Sequence, residues 1–249
     1  MKEQGTVVLS ERLKSLAEMV TCGSRVADVG CDHGFVSIYL VQKRISPKVL
    51  AMDVREGPLS RAREHVAEYG LGDYIELRLS DGLTKYQVGE ADTLICAGMG
   101  GRLMQKILER QEEKSKSFKE LILQPQSELP QFRRFLRESG YTVVFENILC
   151  EEGKYYFLMK AVTQPGKKQV PDVVLSKAGS FSRELCDKYG GYLLGEKHPV
   201  LREFLKERRR LLLRIQEELV SQDKERAMKR LTQVRQEIQE IEWVLEATN

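Results

Sequence analysis

The chain has 249 residues, more than a typical single domain, so one full domain with a smaller appendage is the expected organisation. At 41% hydrophobic and 31% charged residues it can bury a sizeable core, and a net charge of only +3 excludes a wholesale polycation, leaving any nucleic-acid contact to local clustering. Cys22, Cys31, Cys96, Cys150 and Cys186 form no CxxC pair, and no stretch of eighteen apolar residues occurs, so disulfide frameworks, zinc knuckles and membrane spans are excluded and a soluble, cytoplasmic chain without a metal site is expected.

Along the chain, Leu9, Leu13, Leu16 and Val20 recur at helical spacing behind Ser10, predicting a helix before the first strand. Five short apolar runs follow, Arg25 to Gly30, Val49 to Val54, Tyr74 to Ser80, Ala91 to Gly98 and Glu120 to Pro125, each ended by a turn residue. Helical patterns separate them: Phe35 to Lys43, a helix begun by Pro58 with Gly70 past its end, Arg102 to Arg110, and Leu129 to Ser139. Alternation of this kind predicts right-handed crossovers and a doubly wound, mostly parallel α/β sheet. The runs YTVVFENIL and KYYFLMKA, joined by CEEGK, predict an antiparallel hairpin at the end.

Thr163 to Asp172 reads as a linker, dividing a domain over 1–162 from a helical one over 163–249. In the latter, Leu205, Leu212, Ile215 and Leu219 form one seam, with Arg208 at the missing position. After the turn-like SQDKE, Leu231, Val234, Ile238, Ile241 and Leu245 form a heptad seam. Two helices of roughly twenty residues, about 30 Å long, are expected to fold back as an antiparallel coiled coil.

The candidate site is the loop ADVGCDHGF. A strand ending Asp28-Val29-Gly30, with Gly34 opening a helix, puts bare backbone where a nucleotide-like ligand approaches the carboxyl end of the sheet. A dinucleotide site carries GxGxxG for its pyrophosphate. Here Asp28 stands at the first glycine's position, a charge that repels phosphate and attracts an amino group, favouring S-adenosylmethionine over NAD. Asp53, at the end of the second strand, is placed to accept ribose hydroxyls, and Asp81 with Gly82 lies where an adenine edge would sit. Cys31 reads as a small residue in a tight turn, since no basic partner activates it. Cys96-Ala97-Gly98-Met99-Gly100-Gly101 ends the fourth strand with three glycines in four positions, which suits close backbone approach to a ligand.

Together RLKSLAEMV, ADVGCDHG, the acid of MDV, LSDGL, ICAGMGG, LILQPQ and EEGKYYFL resemble the bacterial tRNA adenine N1-methyltransferases acting at position 22, in the D arm, over nearly the whole chain. The resemblance implies a Rossmann-like class I methyltransferase fold with a C-terminal coiled coil, S-adenosylmethionine as donor, and tRNA as substrate. It implies cofactor contacts at Asp28, Gly30, Asp53, Asp81 and Gly82, in a loop that also holds Asp32, His33 and Gly34. His33 either donates to the cofactor carboxylate or caps its helix.

Adenine N1 is itself a nucleophile, so no strong general base is needed. Gly98, Met99 and Gly100 are expected to wall the target base, with Gln124, Pro125 and Gln126 secondary. Tyr155, Tyr156, Phe35 or Met99 could stack on a base turned out of its helix, although hairpin core is the favoured reading of the tyrosines. Phosphate contacts are expected from Arg102, Arg133 and Arg134 near the sheet edge, and in the tail from Arg202, Lys206 and Arg209, with Arg226, Lys229 and Arg230 on the second helix. For the tail, oligomerisation through its seam is the competing role. A methyltransferase of another RNA, a small molecule or a protein is the alternative function.

Overall fold

A computed structural model describes residues 5–163, 181–220 and 225–249. The chain divides into two compact units, Met1–Val174 and Leu175–Asn249. The expected linker, beyond Thr163, and the turn at 221–224 lie outside the described residues.

The first unit is a seven-stranded sheet of β1 (Val26–Val29), β2 (Val49–Asp53), β3 (Ile75–Leu79), β4 (Thr93–Met99), β5 (Glu120–Pro125), β6 (Tyr141–Glu151) and β7 (Lys154–Thr163). Their order is β3-β2-β1-β4-β5-β7-β6. The first five are mutually parallel, and β7 runs antiparallel between β5 and β6. Every residue of β1, β2 and β5 is buried, which is why these strands read as continuous apolar runs.

Strand periodicity still sorts their side chains. Val26, Ala51, Ile95 and Ile122 face one core with Leu16 of α1 (Glu11–Glu18), Ile38 of α2 (Phe35–Gln42) and Leu59 and Ala62 of α3 (Glu56–Glu68). Their neighbours Ala27, Met52, Leu94 and Leu123 face a second core, with Met104 and Leu108 of α4 (Gly101–Arg110) and Phe132 and Leu136 of α6 (Leu129–Glu138). A short α5 (Glu112–Lys116), absent from the sequence pattern, bridges α4 and β5.

Local chemistry sets the boundaries. Ser10 caps α1 by accepting the Leu13 amide. Helix α3 begins two residues before Pro58, which sits in the first turn, where its missing N–H leaves no bond unmade. Glu152 and Gly153, both at positive φ, form the two-residue turn that closes β6 onto β7. The segment after α1 is tied to the last strands by a buried cluster. Glu120 accepts the Thr21 amide and hydroxyl at 2.8 and 2.6 Å, and Lys160 lies 2.7 Å from the same carboxylate.

The second unit contains α7 (Arg183–Tyr189), α8 (Gly191–Gly195), α9 (Pro199–Val220) and α10 (Glu225–Ala247). Arg202 donates to the Leu245 and Thr248 carbonyls, Arg208 pairs with Glu237 and Arg209 with Glu242, so α9 and α10 run antiparallel. The buried seam is Leu201, Leu205 and Leu212 against Val234, Ile238, Ile241 and Val244. Val244, not the expected Leu245, is buried at its end, and Ile215, Leu219 and Leu231 are half-buried. A 3.6-residue turn drifts from a strict heptad by that amount.

One expected phosphate ligand is corrected here. Arg133 is only 5% exposed and its Nε donates to Glu146 at 2.7 Å, beneath the sheet rather than on the surface. Its neighbour Arg134 is exposed. Removing one member of a buried pair strands the other charge, so Glu146→Ala should lower stability by about 3–5 kcal/mol in urea titrations. The double change Arg133→Met with Glu146→Leu should recover most of that loss. Equal losses in the two proteins would contradict a buried-pair role.

Candidate active site

The chain order reverses between β1 and β4, and there the loops leaving the carboxyl ends of the strands part to form a cleft. Its volume is about 600 Å³, within the range of small-molecule sites. Of the expected residues, Asp28, Gly30, Asp32, His33, Asp53, Asp81, Gly82, Gly98 and Met99 line it, while Gly34 and Gly100 do not.

The β1–α2 loop takes a left-handed backbone at Gly30, Asp32 and Gly34. The Gly30 and Cys31 amides both donate to the Met52 carbonyl, at 2.8 and 3.1 Å, pinning the loop to the end of β2. A Cβ on Gly30 would meet Met99 Cε at 2.8 Å, so the bare backbone there admits the Met99 side chain. At Gly34 the close neighbour is instead Ala62 of α3, at 3.2 Å. Gly34 thus serves helix packing rather than ligand approach. It also occupies the N-cap position of α2, and no side chain caps that helix, which removes the capping role considered for His33.

Three carboxylates stand at three successive strand ends. Asp28 is 4% exposed and accepts the Ser37 hydroxyl at 2.7 Å. Burial pushes its carboxyl up to about 6, opposed by the Ser37 bond and reinforced by the charge of Asp53. Asp53 is held by two backbone amides, Arg55 at 2.9 Å and Asp32 at 3.4 Å. Asp81 is solvent-facing, 3.4 Å from Arg110. An acid-lined cleft of this kind favours a cationic, hydroxyl-bearing ligand over a phosphate.

The fourth wall comes from β4. A bulge between Ala97 and Met99 puts Gly98 at φ +76°, and its amide donates to the Gln124 carboxamide at 3.2 Å. The Met99 carbonyl accepts the Gln126 amide at 3.0 Å, and its sulfur lies 3.4 Å from Cys96 Sγ. Gln126 lines the cleft, whereas Gln124 is fully buried behind it. Burial and nearby carboxylates raise the Cys31 thiol far above its usual range and push Cys96 up to about 12, so neither is a ready thiolate.

Phe35 lines the cleft and stacks on His65 with ring centroids 4.5 Å apart, while His33 lies 5.8 Å from both rings. Tyr155 and Tyr156 are not among the lining residues, and Tyr156 packs on the first core. The wall also contains residues that the sequence does not single out, chiefly Arg12, Leu13 and Leu16 of α1, Arg55, and Leu103 and Ile107 of α4. In the sequence they belong to an amphipathic face or to helix surface, and nothing local in their pattern distinguishes a cleft wall from core.

This strand order, with its cleft at the reversal and its antiparallel final pair, defines a Rossmann-like methyltransferase fold. The chain belongs to the methyltransferase-domain family, whose profile matches residues 9–159. Among the proteins it is similar to are bacterial tRNA (adenine-N1)-methyltransferases. It is 37% identical over 153 residues to the tRNA (adenine(22)-N(1))-methyltransferase of Bacillus subtilis (strain 168), covering 61% of this chain and 64% of that relative. The solved B. subtilis m1A22 tRNA methyltransferase TrmK superposes with a TM-score of 0.81 at 29% identity, covering 96% of this chain and 99% of that one. Sp1610 of Streptococcus pneumoniae, solved in complex with S-adenosyl-L-methionine, gives 0.80 at 29% identity over 96% and 100%.

The Asp28 carboxyl sits well above the 3.8 of a free aspartate, so its stability contribution is complete below about pH 4 and is lost as pH rises through about 6. Asp28→Asn escapes that loss. Between pH 4 and 6.5 its urea-unfolding free energy should rise relative to the original protein by roughly 2 kcal/mol. A difference independent of pH would mean that Asp28 is not desolvated.

Proposed function

We propose that this protein transfers the methyl group of S-adenosylmethionine to N1 of the adenine at position 22 of tRNA, in the cytoplasm. The observation that carries the reading is the cleft formed by Asp28, Asp53 and Asp81 at successive strand ends, closed by Gly98 and Met99. The donor set fits the cofactor. Asp28 would hold its ammonium, Asp53 its ribose hydroxyls and Asp81 the exocyclic amine of its adenine. Gly30, Asp32, His33 and Gly82 supply the surrounding wall. Gly34 and Gly100 stand outside the lining, at the N-cap positions of α2 and α4. The acceptor is inferred from the relatives named for this activity.

When bound, S-adenosylmethionine supplies an electrophilic methyl carbon on a sulfonium. The protein's task is then positional. Gly98 and Met99 would hold the target adenine with its N1 toward that methyl carbon, which would pass to the N1 lone pair as the S–C bonding electrons return to sulfur. In-line placement of this kind is worth about 7–11 kcal/mol. The positive charge left on the base is relieved by loss of a proton from the exocyclic nitrogen, so no side chain need act as a strong base.

Reaching N1 requires the base to leave its stack, and Phe35, in its stack with His65, offers an apolar face at the cleft. Arg102 and Arg134 remain the candidates for phosphate contact on this unit. In the tail, Lys206 pairs within its own helix, with Glu203, whereas Arg202 and Arg209 are spent largely on the α9–α10 pairing.

Incubation with S-adenosylmethionine and unmodified tRNA should give a reverse-transcription stop at position 22, because an N1 methyl blocks Watson-Crick pairing. Asp28→Ala should abolish both the stop and calorimetric binding of the cofactor. Cofactor binding without any stop in the D arm would refute the substrate and favour a different acceptor.

A further inference from the structure

Arg12 comes from α1, distant in sequence from the strand ends, yet it forms part of the cleft wall. Its Nη1 donates to the carboxamide oxygen of Gln124 at 2.9 Å. That same oxygen accepts the amide of Gly98 at 3.2 Å. Gly98 is the residue at the β4 bulge, and a bulged residue is left out of the regular ladder. The buried Gln124 therefore stands in for a strand partner, and Arg12 orients Gln124.

The surroundings show that this is what the guanidinium is arranged to do. Arginine–carboxylate pairs frequently form two parallel N–H bonds. Here Glu151 spends Oε1 on the backbone amide of Arg12 at 3.2 Å, and its Oε2 stands 4.0 Å from Nε. Nε itself is buried with no hydrogen-bond partner. The face of the guanidinium rests on the Tyr156 ring, 5.0 Å from its centroid. Glu151 and Tyr156 fix the direction of the side chain, and the well-made bond goes to Gln124 at the expense of the ion pair.

We propose that Arg12 is a positioning residue, which through Gln124 fixes the Gly98 bulge and so the Met99 wall against which the methyl acceptor is held. Met99 follows Gly98 directly, and its side chain reaches across to Gly30, so a relaxed bulge moves the wall at the point where donor and acceptor must meet. The identity of the acceptor, though not the positioning itself, rests on the function proposed above.

The test uses the full chain with Arg12→Met, Arg12→Lys, Gln124→Leu and the Arg12→Met/Gln124→Leu double variant. In Arg12→Met, hydrogen exchange at the Gly98 amide should rise about tenfold in cofactor-free protein, while the Leu94 amide of the same strand keeps its protection. On tRNA, kcat should fall about tenfold or more with the cofactor Kd within about twofold of the original. Arg12→Lys, which keeps one donor, should lie between. Adding Arg12→Met to Gln124→Leu should change Gly98 exchange no further, because the link is already cut.

Unchanged Gly98 exchange in folded Arg12→Met overturns the proposal, as does parallel loss of protection at Gly98 and Leu94. Should Arg12→Met fail to fold, Arg12→Lys and Gln124→Leu decide the matter, since both must raise Gly98 exchange for the proposal to stand. If the original protein methylates no tRNA, the functional reading fails while the exchange measurements decide the positioning role alone.

Discussion

Parallel pairing of β1 with β2 on one side and β4 on the other governs the carboxyl edge of the sheet. Because the chain winds outward in both directions from β1, the loops leaving β1 and β4 cannot cover each other, and a cleft opens between them. The burial of both sheet faces makes this geometry stiff. Strand ends that belong to two packed cores cannot shift without disturbing both. Each carboxylate of the cleft thereby inherits its position from the ladder register: Asp28 lies opposite Ala51 and Ile95, one residue short of where β1 gives way to the loop.

Within that frame, electrostatics and packing divide the work. On the proposed donor side the three carboxylates differ in their surroundings: Asp28 is sealed in the core, Asp53 is gripped by backbone amides and Asp81 stands in solvent. On the proposed acceptor side stand Gly98 and Met99, held by amide and carboxamide bonds with the Arg12 guanidinium behind them. Between the two sides the Met99 methyl fills the space that a Cβ on Gly30 would need, 2.8 Å from where that atom would stand. A site that must bind a charged donor yet hold its acceptor by shape is served by this separation, since neither task constrains the residues of the other.

Much of this was legible in the sequence. The inner parallel strands announced themselves because strands buried on both faces are mostly apolar, with Asp28, Glu120 and Gln124 among the exceptions, whereas β3 at the edge alternates. The acids of the cleft stood out as a set, since three successive strands end in one, whereas any single aspartate there is also an ordinary turn residue. Hidden from the sequence was whatever depends on long-range contact. Arg12 meets Gln124 across 112 positions, and Arg133 has the pattern of a surface charge although Glu146 faces it inside the protein. Gly34 falls in with the ligand loop by sequence because a glycine needed for a neighbouring helix looks the same as one needed for a cofactor. Pro58 misplaces a helix start by two residues, since proline is compatible with any position of the first turn.

The attachment of α1 to the final hairpin bears on how the protein is made. Arg12 and Thr21 emerge early from the ribosome, but their partners Glu151, Glu120 and Lys160 come more than ninety residues later. Helix α1 can pack early, since Leu16 and Ala17 share a core with Ile38 of α2 and Val26 of β1, but its polar ties are long-range, and contacts of such separation in sequence are slow to form. A nascent chain stalled before the hairpin would carry all three carboxylates of the cleft and α1 itself, and would still lack Glu151 and Tyr156, the two residues that aim the Arg12 guanidinium.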